Sequence, residues 1–362
     1  MRIALLRSPN FGQPCFEGDV SIDGADSLFV GREQHAQAPP AIRSWLRIAR
    51  LALGIGLIVY LTWSTAIEWS RLLGLVHALP LTVSALLLLF LAVLGTSWRL
   101  SMLLSGVGLR LSLGASLRLS LIGGFFNNFL PGSSGGDLVR IYLAAPPGQL
   151  AEVGVTLLID RVIGVMAFML APLLLAVFQM QVIIHHPALA LLLTVAAGGS
   201  LFLVLIVFFG VRRCESFLLP ALRVLNFVRL RGLGERFFVT VHAHSQNMPL
   251  LVRALGISLL VQALVIFSYQ MILLANGAAS MSWQTALLTP FGLLANALPL
   301  TPGGLGVGEA AFETLFLSVG VRGGAEAILS WRLLTTVLDL FGGVFLLMGR
   351  TDMGATDHKM SI

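Results

Sequence analysis

Apolar positions in this chain do not alternate with polar ones in a way that would give one wet face and one dry face; they run on in blocks. Leu, Ala, Val and Phe dominate stretches near 46–65, 78–98, 162–183, 188–211, 250–275 and 325–348. Each stretch approaches the roughly 20 residues a helix needs to cross about 30 Å of hydrocarbon, so six full spans are expected. Two further apolar stretches, 119–145 and 284–321, are broken by Pro and Gly and cannot be single straight helices. The pattern therefore predicts an all-α, polytopic helical membrane protein with about six full spans and two Pro/Gly-broken re-entrant elements.

The two broken stretches resemble each other. In the first, Asn128-Phe-Leu-Pro131 precedes Gly135, Gly136 and the acid Asp137; in the second, Asn296-Ala-Leu-Pro299 precedes Gly303, Gly304 and the acid Glu309. With the spans above, one is entered from each side of the membrane, which is the arrangement of an inverted repeat with broken helices, a transporter signature. An Asn-x-Leu-Pro pattern also recurs by chance, and both origins stay open at this point.

Composition agrees with the pattern. Hydrophobic residues make up 57% of 362 and charged ones 11%, against roughly 45–50% and 25% in soluble domains. With the N-terminus inside, 14 Lys and Arg fall on the cytoplasmic side and only Arg71 and Arg322 on the other, which places both termini in the cytoplasm. The net charge of +6 thus reports topology rather than nucleic-acid binding. Residues 1–40 read as a disordered cytoplasmic leader, 41–350 as the transmembrane domain and 351–362 as a cytoplasmic tail. Residues 212–249, with six Arg and two Glu, read as an amphipathic helix on anionic lipid or as a solvated connector. Cys15 and Cys214 suggest neither a disulfide framework nor a metal site.

Irregular chain at membrane depth survives only where protein or a polar cavity satisfies its backbone. Pro131, Pro299 and Pro302 remove donors, while Asn127, Asn128, Ser133, Ser134 and Asn296 add hydrogen-bonding capacity beside them. Helix ends meeting in such a cavity favour an anionic group such as a lipid phosphate. Ionisable residues there cost at least about 2.5–3.5 kcal/mol unless paired or hydrated. Asp137 and Arg140 share a helix face and can pair; Asp160 and Arg161 point apart, towards two different partners. Arg332 and Asp339 share a face of the last span, about 10 Å apart in rise, and Glu309 has no basic neighbour in the sequence. Each has a plainer reading. Asp137, Arg140, Asp160 and Arg161 are also what interfacial anchors look like, Glu309 also suits a helix cap, and Arg332 and Asp339 also suit pairing with other spans. Gly304-Leu-Gly306-Val-Gly308 lacks the preceding strand of a nucleotide loop. No metal and no cofactor are expected.

Three motifs in order, GGFFNNFLPGSSGGDLVRIYL at 123–143, LLIDRVIGV at 157–165 and LPLTPGGLGVGEAAF at 298–312, resemble the lysylphosphatidylglycerol synthase transmembrane-region family of flippase-like membrane proteins over about 45–350. The resemblance implies an inner-membrane protein, not an enzyme, that moves or handles an amphiphilic lipid such as an aminoacylated phospholipid or a polyprenyl-linked or hopanoid-related lipid. By motif match it implies a lipid path lined by Asn128, Pro131, Gly136, Asp137, Arg140, Asp160, Arg161, Gly303, Gly304 and Glu309, to which the charge pattern adds Asn296, Arg332 and Asp339. Because Ile362 follows the last span directly, the soluble aminoacyl-transferring domain of the full synthases is expected to be missing, and lysine transfer is not assigned. The expected partner is a lipid with an anionic or phosphate-containing headgroup, with lipid-biosynthesis enzymes as further partners. A non-catalytic member of a lipid or glycolipid synthesis complex is the alternative, and a membrane-embedded transferase a third.

Overall fold

The long apolar blocks become helices because an intrahelical ladder satisfies every backbone group without help from solvent. The structure, a computed structural model, describes residues 72–129, 135–146, 148–178, 183, 187–205, 239–242, 244, 246–278, 281–297, 301 and 304–347. The leader, the expected span 46–65, Arg71, Pro131, Pro299, Pro302, Gly303, most of the basic loop and the tail lie outside these residues. What is described belongs to one unit, Ile48–Ile362.

After a short turn of helix, α1 (Gly74–His77), come α2 (Leu79–Ser105), α3 (Leu113–Phe129), α4 (Gly135–Ala144) and α5 (Leu150–Ala176). Helix α6 (Pro187–Leu205) separates this group from a second one: α7 (Met248–Ala275), α8 (Trp283–Asn296), α9 (Val307–Leu317) and α10 (Gly324–Leu347). No strand occurs among the described residues. Helices α2, α5, α7 and α10 are long and apolar enough to cross a membrane, and α6 is a shorter apolar helix. The expected span 162–183 is corrected by twelve residues at its start: α5 already begins at Leu150, because the Glu152, Asp160 and Arg161 that make its first half look polar find partners within the bundle or at its edge. Pro172 is accommodated within α5.

Large apolar side chains such as Phe202, Leu260 and Phe341 are more than half exposed. No water-facing surface carries so much exposed apolar area; facing lipid, it costs nothing. Inside, Tyr269, Leu287, Leu288, Phe312, Phe316 and Ile328 form the main core with Ala85 and Leu89 of α2. A smaller cluster joins Leu100, Leu104, Leu119, Val153 and Leu157.

The two groups repeat one another. Their four helices run 27, 17, 10 and 27 residues in the first and 28, 14, 11 and 24 in the second. The leading helices α2 and α7 lie side by side and antiparallel: Gly106 meets Leu250, Gly95 meets Val261, and Gly74 of α1 meets the backbone of Ala275. In each group the two short helices fold back on each other as a hairpin. Gly136 packs on the carbonyl of Gly123 and Arg140 on Gly123 itself in the first; Gly308 packs on Asn296 and Phe312 on Gly292 in the second. Hairpin α3–α4 then leans on the last helix of the other group, where Gly342 meets the backbone of Leu121 and Gly343 meets Phe125.

Candidate functional site

Charges gather where each hairpin meets the long helix that follows it. In the first group Asp137 stands in the first turn of α4. It forms an ion pair with Arg161 of α5 and a longer one, 3.5 Å, with Arg140 of its own helix. In the second, Glu309 stands in the first turn of α9 and lies 3.4 Å from Arg332 of α10. The same acid-to-arginine joint has been built twice.

An asparagine at the end of each hairpin's first helix completes it. Asn127 Oδ1 accepts from the Gly136 N–H at 2.8 Å, holding the start of α4, whose first N–H groups have no helical partner. Asn296 Oδ1 accepts from Arg332 Nη2 at 2.5 Å. The side chain of Asn128 is outside the described residues, so its neighbour Asn127 is the asparagine seen to act in the first hairpin.

Glycines make room for these charges. A methyl on Gly123 would overlap the Arg140 side chain, and one on Gly124 would overlap the carboxylate of Asp339. Arg140 donates from Nη2 to the Ser120 carbonyl at 2.9 Å and lies within the electrostatic reach of Asp137, Asp160, Asp339 and Arg161. Gly304 sits at φ +70° and Gly306 at φ +79°, a region that side chains disfavour. Their turn brings the Gly304 carbonyl to 2.8 Å from Arg332 Nη2 and the Gly306 N–H to 2.7 Å from Glu309 Oε2.

Most of the candidate residues therefore have a place. Asp160 and Arg161 do point to different partners: Arg161 reaches Asp137, while Asp160 takes two parallel bonds from Arg99, at 2.6 and 2.8 Å. Glu309 both caps its helix and pairs with Arg332, a basic partner that local spacing did not reveal because the two are 23 positions apart in the sequence. Arg332 and Asp339 share a helix but serve different hairpins, the first meeting α9 and the second pressing on α3. Gly136 is buried under Asn127 and Gly123. Pro131 and Gly303 lie outside the described residues.

Arg99 was missed. Counted only among the cytoplasmic basic residues, it is 6% exposed and donates from Nη1 to Ser258 Oγ at 2.6 Å, so it ties α2 to α5 and α7 at once. Its position within a helix that is otherwise apolar for several turns was the available signal, since a buried guanidinium requires an acid somewhere. Among the described residues no group of His, Cys, Asp and Glu could hold a metal ion.

The exposures of the two joints differ. Side chains of Arg161, Arg140 and Asp137 are 46%, 24% and 15% exposed, whereas Arg332 is 16% and Glu309 0% exposed. The first joint is partly open to its surroundings; the second is closed.

The family model for the lysylphosphatidylglycerol synthase TM region matches residues 47–343. A UPF0104 membrane protein of Pyrococcus horikoshii is 24% identical over an alignment of 326 positions that covers 83% of this chain and 96% of that protein. No solved structure matches. The match takes in both groups of helices and both charged joints, and the chain belongs to the lysylphosphatidylglycerol synthase transmembrane-region family.

Proposed function

We propose that this protein translocates an amphiphilic membrane lipid, receiving its phosphate-bearing headgroup at Arg161 and Arg140 while the acyl chains stay in the bilayer. The observation that carries this reading is the partly exposed joint of Asp137, Arg140 and Arg161 at the foot of a glycine-packed hairpin. Asp137 holds the guanidinium groups in place while the site is empty. An arriving phosphate offers each of them a charge-assisted bond of the same kind, so that exchange of one anion for another has little net electrostatic cost.

In this reading the two hairpins are re-entrant elements of an inverted repeat, the chain lies in the inner membrane with both termini cytoplasmic, and rocking of one group against the other alternates access. The close backbone contact of α3 with α10 at Gly342 supports it, because small residues let backbones of the two groups approach closely in lipid. So does the placement of Asp339 against Gly124: a shift of α10 changes which carboxylate faces Arg140. No bond-making chemistry is assigned to the site.

The test is flipping of fluorescent phospholipid in proteoliposomes, followed by quenching from outside. Arg161→Ala is expected to slow flipping about tenfold or more, the loss of one charge-assisted hydrogen bond, with Arg161→Lys retaining part of the rate. Parental flipping by both Arg161→Ala and Arg140→Gln would overturn the site.

A further inference from the structure

A second polar place lies away from the charged joints. The C-terminal end of α7, the start of α8 and the connection from α9 to α10 enclose a cavity of ≈ 630 Å³ lined by Asn276, Ser282, Thr285, Gly320, Arg322 and Gly323 among others. That volume suits a small-molecule or headgroup site. Gly320 and Gly323 adopt φ +76° and +97°, and their turn carries Val321 and Arg322 in the wall between α9 and α10. Ser282 caps α8, whose first N–H groups therefore border the cavity.

Asn276 is the telling group. It is 8% exposed, and its Nδ2 donates to Ser330 Oγ at 2.9 Å. Its Oδ1 finds no hydrogen-bond partner among the described residues. A buried amide oxygen left without a partner is destabilising, and a turn of Asn276 towards the hydroxyl or amine of a guest would relieve it. Arg322, exposed at the rim, belongs to the face that the positive-inside count left almost without basic residues, so topology does not account for it.

Ser282 also lines a second, apolar cavity of ≈ 270 Å³ between α5, α7 and α8, walled by Ala171, Leu174, Ala263, Ile266, Phe267 and Ala286 among others. A polar chamber and an apolar groove sharing one wall residue have the shape of an amphiphile.

We propose that the two together form a seat for one phospholipid: its phosphate at Arg322, its headgroup hydroxyl or amine beside Asn276, and one acyl chain along the groove beside Ala263. The seat stands at the Ser282 end of α8, whose other end, Asn296, holds Arg332. Loading the seat and closing the second joint thus act on the same helix. The inference extends the translocation reading but does not need transport to occur, since a protein that only receives lipid in one leaflet would fill the same seat.

Native mass spectrometry of the delipidated protein in detergent, titrated with dioleoyl phosphatidylglycerol, dioleoyl glycerol and glycerophosphoglycerol, tests it. The phospholipid is expected to bind best, dioleoyl glycerol about tenfold more weakly, and the chain-free phosphodiester not measurably. Arg322→Ala should remove the preference for phospholipid over dioleoyl glycerol, and Ala263→Trp, which fills the groove, should weaken both lipids. Equal binding of all ligands to parent and variants overturns the seat, as does saturable binding of glycerophosphoglycerol alone, which would mark a free-phosphate site. Lipid binding that follows this pattern in a protein whose flipping is unaffected by both Arg161→Ala and Arg140→Gln would sustain the seat and sink the proposed transport site.

Discussion

The two groups of helices carry the same joint in different surroundings. Arg99 and Tyr269 each stand six residues before the last residue of their leading helix, and Asp160-Arg161 and Trp331-Arg332 occupy matching places in α5 and α10. Where the first group has the Arg99–Asp160 ion pair, the second has Tyr269 and Trp331 stacked at 5.9 Å, with Phe312 on Tyr269 at 5.1 Å. The first group therefore surrounds its joint with further charges and leaves Arg161 and Arg140 partly exposed, and the second packs its joint in aromatic rings until Glu309 is sealed. A shared backbone plan fixes where an acid meets an arginine. The neighbours decide whether that pair can be opened by a ligand or serves as a latch.

The largest effect is expected from unpairing a sealed charge. Arg332→Leu strands Glu309 in the core and loses the contacts to Asn296 and the Gly304 carbonyl, which should cost about 3–5 kcal/mol, read as a lower midpoint in a denaturing-detergent titration. Arg99→Leu should be comparable, and adding Asp160→Leu should recover part of the loss, since a buried pair replaced by apolar residues is often neutral. Failure of the second change to recover any stability would mean that Arg99 acts mainly through Ser258.

Smaller, and more informative about motion, is Gly124→Ala. The methyl meets the Asp339 carboxylate, so the carboxylate must turn aside or α3 and α10 must separate, with an expected cost of about 1–3 kcal/mol. A Gly124→Ala/Asp339→Ala double variant should regain most of it. The smallest effect on stability belongs to Arg161→Ala, within about 1 kcal/mol because the side chain is nearly half exposed. If Arg161→Ala proved as destabilising as Arg332→Leu, the distinction between an openable joint and a latch would collapse.

Much of this was legible along the chain. Block length and composition announced apolar helices, and the described long helices α2, α7 and α10 begin and end within a few residues of the expected spans except at the C-terminal end of α2. The recurrence of Asn, Pro, Gly and acid in two broken stretches picked out both hairpins and the acids that hold them. What stayed hidden was partnership. Nothing in the sequence separations joins Asp137 to Arg161, Glu309 to Arg332 or Asp160 to Arg99, because each pair closes between two different helices, at separations of 24, 23 and 61 positions. The start of α5 was misplaced for the same reason: its first half looks too polar for a span until Arg99 and Asp137 are set against it.

The sequence by itself determined that apolar helices would form and that two of its segments could not be straight, because backbone hydrogen bonds and the missing donors of proline are local matters. Only the tertiary structure decided which charge neutralises which, that one joint is open and its counterpart closed, and that Asn276 is buried with its oxygen unmatched. Those outcomes depend on distances between helices and on exclusion of solvent, and both arise only when the bundle has assembled.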